Sequence, residues 1–155
     1  MNKKFRTHIE TMEPSFKALL DMQPVRASGL PRDVPSRGIY LFSERGRHLY
    51  VGRSNRIRQR LQSHSRNSSG HNSATFAFRI ARKRTGKLTA TYSTKGSRAE
   101  LEQNPIFAEA FSRAKDRVRA MHIRYVEETD PMRQAILEMY VAVSLETPFN
   151  DFDNH

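Results

Sequence analysis

A single carboxylate in an otherwise apolar segment is the clearest chemical signal in the sequence. Residues 135–143 read Ala-Ile-Leu-Glu-Met-Tyr-Val-Ala-Val, so Glu138 is the one charged side chain among them. A helix that is apolar on every face is normally buried. A buried carboxylate is costly unless it is paired, protonated or bound to a metal. Glu138 therefore needs a cation, which is either a metal ion or an arginine in a structural ion pair.

Arg60 and His64 form a second pair of chemically useful side chains, because they stand four residues apart, at helical spacing. The apolar residues Ile57 and Leu61 accompany them, which predicts a short helix with these side chains along one face. An arginine here can stabilise a reacting phosphate or make an ordinary surface phosphate contact, and the helical spacing alone leaves both roles open.

Two short motifs frame a predicted hairpin ahead of that helix. Gly38-Ile39-Tyr40 and Tyr50-Val51-Gly52 flank Gly46, a residue that readily adopts the positive φ of a tight turn. Nine residues lie between Tyr40 and Tyr50. On its own, a tyrosine in a hairpin is more often a packing residue than a catalytic one.

Taken together, these motifs make the chain resemble the GIY-YIG nucleases. The pattern of that family is Gly-Ile-Tyr, then Tyr-Ile/Val-Gly, then a helix with an arginine and often a histidine four residues on. A later buried helix presents one glutamate, and an asparagine follows a Pro-aromatic element. Glu138 and Thr147-Pro148-Phe149-Asn150 match these last parts in the same order. The resemblance covers most of residues 38–150.

The resemblance implies hydrolysis of phosphodiester bonds in DNA with one Mg²⁺ (or Mn²⁺) ion held by Glu138. One buried-looking carboxylate is too few for a two-metal clamp, but Mg²⁺ often binds through one carboxylate and keeps its waters. Tyr40 would take a proton from the attacking water. Since an ordinary tyrosine has a pKa of about 10, it would need nearby cations such as the metal, Arg53 or Arg60 to lower that value.

The remaining site residues take their roles from the same resemblance. Tyr50 would orient the water or the phosphate, and Arg60 would offer its donors to the phosphate oxygens as charge builds. His64 would hydrogen-bond Tyr40 or a phosphate, whereas Asn150 would order the site. The predicted catalytic set is therefore Tyr40, Tyr50, Arg60, His64, Glu138 and Asn150.

The positive charge is concentrated in one part of the chain. The net charge is +11, and residues 45–99 hold 14 Lys or Arg with no Asp or Glu, which leaves 13 basic and 16 acidic residues elsewhere. Such a concentration indicates a polyanion partner, although a solvated basic surface without a specific partner is the alternative. We expect residues 65–118 to be a basic insertion that grips DNA. The candidate nucleic-acid contacts are Arg53, Arg58, Arg66, Arg82, Lys83 and Arg84.

The predicted element order is α-β-β-α-α-α-β-α. This order favours an α/β (α+β) fold with a small, mostly antiparallel three-stranded sheet flanked by helices, as one domain over residues 1–155. Residues 1–37 are expected to form one helix and a linker. The strands are expected at 38–42, 48–51 and 121–126, and helices at 74–81 (capped by Ser73), from Asn104-Pro105 to about Arg117, and from Asp130-Pro131 to Pro148; residues 82–97 read as a loop or weak hairpin.

Composition excludes several classes of protein. The absence of cysteine rules out disulfides, thiolate zinc sites and cysteine nucleophiles. No apolar run of about 18 residues is present, so no membrane span is expected, and a cytoplasmic location fits. The expected partner is DNA, with a homodimer or a partner protein choosing the target. Two alternatives stay open: a catalytically inactive DNA- or RNA-binding module, and the nuclease subunit of a larger assembly.

Overall fold

The computed structural model of the chain describes residues 1–86 and 97–152. Its contacts divide the chain into two units. The first combines Met1–Gln59 with Met121–Asn150, and the second combines Arg60–Ala120 with Asp151–His155. Among the described residues, no helix is both long and apolar enough to cross a membrane.

A three-stranded antiparallel sheet organises the first unit. Strand β1 (Gly38–Glu44) lies between β2 (Arg47–Ser54) and β3 (His122–Glu127), so the strand order is β2-β1-β3. Both pairings are antiparallel. This confirms the small antiparallel sheet that the element order predicted; β1 and β2 are longer than expected, and β3 is shifted by one residue.

The hairpin between β1 and β2 turns through two residues in the left-handed region. Arg45 has a φ of 52° and Gly46 a φ of 77°. Two consecutive positive φ values suit the twist of a two-residue hairpin loop. The glycine signalled this turn in the sequence, whereas the arginine gave no such signal because L side chains rarely adopt that conformation.

The apolar core of the first unit lies on one face of the sheet. Two helices supply its other side: α2 (Met12–Asp21) and α7 (Pro131–Leu145). Burying each large apolar side chain contributes roughly 1.5–3 kcal/mol, so this layer anchors α7 and hence Glu138. The fully buried members are Met12, Leu19, Ile39, Leu41, Val51, Leu137 and Val141.

The N-terminal segment contains two helices rather than the single helix that was predicted. Helix α1 (Lys3–Glu10) is capped by Asn2, whose side chain accepts hydrogen bonds from the first backbone N–H groups. Thr11 separates it from α2, and Pro14 lies in the first turn of α2, where a missing N–H costs nothing. A short 3-10 turn at Ala27–Gly29 follows within the expected linker.

Helix α7 begins where its sequence signals placed it. The Asp130 carboxylate accepts from Arg133 N at 2.9 Å, and Pro131 occupies the first helical position. The helix ends at Leu145, just before Glu146 adopts a φ of 50°. The expectation that it is buried on every side is wrong, because it packs through one face and leaves Met139 and Val143 exposed.

The described part of the second unit is organised around helices. Phe78 lies at its centre, with ring centroids 5.0 Å from Phe107 and 5.4 Å from Phe111. Aromatic pairs at these separations add to the area they bury. Helix α3 starts in the first unit and continues into the second. The helices are α3 (Ile57–Ser65), α4 (Thr75–Thr85), α5 (Arg98–Gln103) and α6 (Pro105–Arg119).

Several predictions for this unit need correction. Asn104 caps α6 as expected, accepting from Ile106 N at 3.0 Å. Ser73, however, does not cap α4, because Ala74 holds that position without a side-chain hydrogen bond. Residues 82–85 continue α4 instead of forming a loop, and the helix ends where Gly86 adopts a left-handed φ of 77°. Residues 87–96 of the predicted loop or hairpin lie outside the described part of the chain.

Candidate active site

Tyr40 and Tyr50 share one face of the sheet. Tyr40 is paired with Gly52 across the hairpin, and Phe42 is paired with Tyr50. Side chains of directly opposed residues leave an antiparallel sheet on the same side. Both tyrosines are buried, and Tyr40 is only 1% exposed. The hairpin therefore brings together the two tyrosines that the sequence singled out.

Gly52 makes room for the Tyr40 ring. A Cβ atom at residue 52 would lie 2.3 Å from the Tyr40 hydroxyl oxygen. That separation is far below a van der Waals contact, so any larger residue would displace the ring. Gly38 has a similar role, because a Cβ there would lie 2.0 Å from the Val126 carbonyl oxygen. Each glycine is required because an atom of the neighbouring strand approaches it closely.

Glu138 forms an ion pair with Arg53. The Arg53 Nε atom lies 2.7 Å from Glu138 Oε2. The carboxylate side chain is 24% exposed and the guanidinium side chain 49% exposed. Of the two cations that the sequence allowed, an arginine is therefore present beside Glu138. The register places Arg53 opposite Ile39, on the sheet face where the core helices pack.

The tyrosines and this ion pair leave the sheet on opposite faces. Tyr40 and Arg53 belong to adjacent register positions, and successive positions on a strand alternate between faces. The ion pair and the tyrosines therefore lie on different sides of β2. Arg53, which the sequence offered as one possible cation for Tyr40, contacts Glu138 instead.

Gln134 lies one helical turn before Glu138 and connects α7 to the end of β2. Its amide nitrogen donates to Asn55 Oδ1 at 3.1 Å and to the Glu128 carbonyl oxygen at 2.7 Å. Gln134 is buried, so these bonds hold the start of α7 against the segment that follows Arg53. Sequence reasoning missed this role of Gln134 and Asn55. The available signal was a second polar side chain four positions before the glutamate in an apolar helix.

Asn150 completes the edge of β2. Its side-chain oxygen accepts from Val51 N at 2.9 Å, and its side-chain nitrogen donates to the Val51 carbonyl at 2.8 Å. The Thr147 hydroxyl adds a 2.7 Å hydrogen bond to the same oxygen. The Asn150 carboxamide thus bonds the backbone N–H and carbonyl of Val51, next to Tyr50, as a neighbouring strand would. With these hydrogen bonds, the Asn150 side chain fixes the edge of β2 and does not point a hydrogen-bond donor into open space.

Arg60 and His64 belong to the second unit. Arg60 donates to the Ser73 carbonyl at 2.9 Å and to the Thr75 hydroxyl at 3.1 Å, at the beginning of α4. His64 is fully buried, and its pKa is lowered well below the usual value of 6.5, first by burial and then by Arg60 and Arg79. His64 is therefore neutral at physiological pH.

The predicted nucleic-acid contacts fall into two groups. Arg66, Lys83 and Arg84 are exposed, whereas Arg82 is only 3% exposed and lies 5.9 Å from the Phe78 ring centroid. Burial and then the nearby Arg98 lower the pKa of Arg82. Arg58 donates to the Pro31 carbonyl.

Comparison with protein families matches the GIY-YIG catalytic domain over residues 36–147. The chain belongs to the GIY-YIG family. The matched range contains both tyrosine motifs, Arg60 and Glu138, and GIY-YIG domains are nuclease domains. Neither the curated proteins nor the solved structures gave a match. In the described part of this GIY-YIG chain, no three His, Cys, Asp or Glu side chains cluster as a ready-made metal site.

Proposed function

We propose that this GIY-YIG chain is a metal-dependent endonuclease that hydrolyses phosphodiester bonds in DNA. The observation that carries the proposal is the Glu138 carboxylate, held at the end of β2 by Arg53. Membership of the family and the concentration of basic residues at 45–99 support a nucleic-acid substrate.

Glu138 is the residue that would hold the metal. Its carboxylate is partly open to solvent, and a single carboxylate suits Mg²⁺ (or Mn²⁺), which keeps several water ligands. The bound ion would supply Lewis-acid polarisation of the scissile phosphate and charge stabilisation of the leaving oxygen. The hard oxygen donor and its access to solvent fit such a cation.

Arg53 is the residue whose contact has to change when Glu138 binds a cation. Its guanidinium neutralises the carboxylate at a distance of 2.7 Å. Once that carboxylate is neutralised by a metal ion, the half-exposed guanidinium is available to a phosphate oxygen. Arg53 therefore acts as a placeholder cation before it acts as a phosphate ligand.

The tyrosines and Arg60 take the remaining chemical roles. Tyr40 removes the proton from the attacking water, and Tyr50 orients the water or the phosphate. Arg60 donates to the phosphate oxygens as negative charge develops on them. His64, which is neutral and buried, supports the helix that carries Arg60, and Asn150 fixes β2 beside Tyr50.

The grip on DNA is assigned to exposed basic residues of the second unit. Lys83 and Arg84 lie in the last turn of α4 and are solvent-exposed, and Arg66 is exposed after α3. Phosphate contacts of this kind provide affinity without sequence choice. Arg82 is removed from this set, because its guanidinium is enclosed within its own unit.

A catalytically inactive nucleic-acid-binding module is the second candidate function. The ion pair with Arg53 favours this candidate, since the guanidinium supplies a cation for the Glu138 carboxylate. A third arrangement, in which the chain is the nuclease subunit of a larger assembly, keeps the same chemistry and leaves target choice to a partner.

Plasmid nicking tests the proposal directly. Supercoiled DNA is incubated with Mg²⁺, or separately with Mn²⁺, and the wild type is compared with Glu138→Ala. We expect nicking by the wild type and a loss of at least about 100-fold in the variant, with DNA binding retained in EDTA. Equal activity in both proteins would overturn the mechanism, and absence of activity in both would favour the inactive binding module.

The Arg53→Gln variant is a second test, in which metal binding and nicking are expected to change in opposite directions. Removal of the guanidinium takes away one positive charge beside the Glu138 carboxylate, so binding of Mn²⁺ alone, followed by its EPR signal, should tighten severalfold. Nicking by the same variant should slow, since a phosphate ligand is lost. A variant in which both metal binding and nicking weaken would show that Arg53 supports the carboxylate and does not compete for it.

A further inference from the structure

Helix α7 presents a second apolar face. Its buried face packs Leu137 and Val141 into the core. On the other side, Met132, Met139 and Val143 are 65%, 46% and 66% exposed, respectively. These three residues recur at a spacing of seven and then four, so they form a continuous stripe along the helix. A helix that is apolar on two faces needs a second surface to cover it.

The N-terminal helix α1 widens this stripe into a groove. Phe5 and Ile9 form one wall, and Met139 and Val143 lie on the opposite wall, around a volume of about 450 Å³. Phe5 is itself half-exposed. Large exposed apolar patches of this kind mark interaction surfaces in soluble proteins. All of these residues belong to the first unit.

The edges of the sheet do not offer an alternative route to association. Asn150 and Phe149 donate to the Val51 and Leu49 carbonyls on the outer side of β2. On the outer side of β3, Val25 and Ile123 exchange two backbone hydrogen bonds. Since the chain covers both of its own edges at these positions, strand addition by another molecule is blocked there. The helical face remains the surface on which an apolar partner can be seated.

The charges on α1 are suited to self-association. Lys3, Lys4 and Arg6 occupy its first half, and Glu10 ends it, followed by Glu13 in α2; all five side chains are exposed. A twofold axis perpendicular to this helix runs two copies in opposite directions. The basic half of one copy then faces the acidic end of the other. A surface with this pattern is complementary to itself, which is the requirement of an isologous interface.

We propose that the face formed by α1 and α7 is the interface of a homodimer, in which each copy covers the apolar stripe of the other. The inference does not depend on the proposed nuclease activity, because it rests on exposed apolar area and charge pattern alone. It also accounts for the composition of residues 135–143. Apart from Glu138 they are uncharged and mostly apolar, although a single chain buries only one side of this helical segment.

Sedimentation velocity of the full chain, without metal or DNA, tests this interface. We expect a species of twice the 18.0 kDa chain mass at concentrations of roughly 10–100 μM, as is typical of a modest interface. Met139→Glu combined with Val143→Glu should raise the dissociation constant at least about 10-fold. Ile106→Glu is the matched control, since Ile106 is also strongly exposed but lies in the second unit.

A charge-reversal series separates the proposed interface from other modes of association. Lys3→Glu with Lys4→Glu should weaken the dimer, and adding Glu10→Lys to the same chain should restore it. The thermal unfolding curves of these surface variants should match the wild type. A wild type that remains monomeric at 100 μM, forms open-ended oligomers, or dimerises equally well with Met139→Glu and Val143→Glu overturns the proposal. A monomer whose α1–α7 groove is covered only when detergent micelles are added also overturns the proposal.

Discussion

Particular cations in the two units illustrate two kinds of partner. In the first unit, Arg53 meets a carboxylate on α7 and Arg133 meets Glu128. In the second, Lys115 donates to the Asn67 and Ser69 carbonyls and lies 4.4 Å from the Phe111 ring centroid. The first unit has 14 basic and 10 acidic residues, whereas the second has 13 and 6.

This difference distinguishes a candidate catalytic site from a surface that attracts nucleic acid. A carboxylate that balances an arginine can exchange that arginine for another cation, so the ion pair in the first unit is suited to a site that changes its contacts. Carbonyls and aromatic rings stabilise a cation without cancelling its charge. With 13 basic and 6 acidic residues, the second unit has a net positive charge that a polyanion can use.

The largest effect is expected from Tyr40→Phe in the first unit. This change removes one hydroxyl and leaves the buried ring, so nicking should fall by roughly 10²- to 10⁴-fold while the melting temperature changes little. Tyr140→Phe is the control, because the Tyr140 hydroxyl bonds Glu13 at 2.6 Å away from the hairpin. Wild-type cleavage by Tyr40→Phe would remove this hydroxyl from the chemistry.

Gly52→Ala should act on the same ring through sterics. The new methyl group would lie 2.3 Å from the Tyr40 hydroxyl, and we expect the free energy of unfolding to fall by about 1–3 kcal/mol. Gly29→Ala meets no atom within 4 Å and should be neutral or slightly stabilising. Urea unfolding curves measure both changes. Equal stability of the two variants would mean that the ring has space to move.

Lys83→Ala combined with Arg84→Ala addresses the second unit. Loss of two phosphate contacts should reduce the slope of log affinity against log salt by up to about 1.8, with the fold intact. Arg113→Ala is the matched control, since Arg113 is exposed but paired with Glu109 at 2.7 Å. An unchanged salt slope in the double variant would place the grip on another surface.

The smallest effect concerns the stability of the second unit at acid pH. Burial, Arg60 and Arg79 hold the pKa of His64 well below 6.5 in the folded chain. Above pH 6.5 both states are neutral and the stability is fully present. As the pH falls from 6.5 towards the folded-state pKa, only the unfolded state binds the proton, so stability falls by up to about 1.4 kcal/mol per pH unit.

Urea titrations at pH 7.5, 6.5 and 5.5 measure this slope. His64→Gln should flatten it, whatever its effect on absolute stability, because the titrating group is gone. The comparison uses slopes within each protein, so the cost of replacing a buried side chain does not enter. Identical slopes in the two proteins would show that other groups dominate the acid response.

Elements with local signals could be predicted from the sequence. The turn at Gly46 and the caps at Asn104 and Asp130 were recognised correctly, since each depends on the chemistry of one or two neighbouring residues. The break at Thr11 and the start of α4 after Ala74 were missed. These boundaries depend on how helices pack, and no residue at either position has a strong preference for ending a helix.

The composition of the site was easier to predict than its contacts. The need of Glu138 for a cation followed from its apolar neighbours, but the choice of Arg53 among many arginines depends on hairpin register and on the packing of α7. Arg82 illustrates the same limit in reverse. Its position in a basic run indicated the surface, whereas the helical phase of α4 buries it against Phe78.

The Arg53–Glu138 ion pair also bears on how the protein persists in a cell. Because Arg53 balances the charge of the Glu138 carboxylate, we expect the chain to fold without the metal ion of the proposed function. Fluctuations in free Mg²⁺ would then alter the rate of cutting without altering the amount of protein that escapes proteolysis. A chelator would accordingly act as a reversible brake, and adding metal back would restore activity without a refolding step.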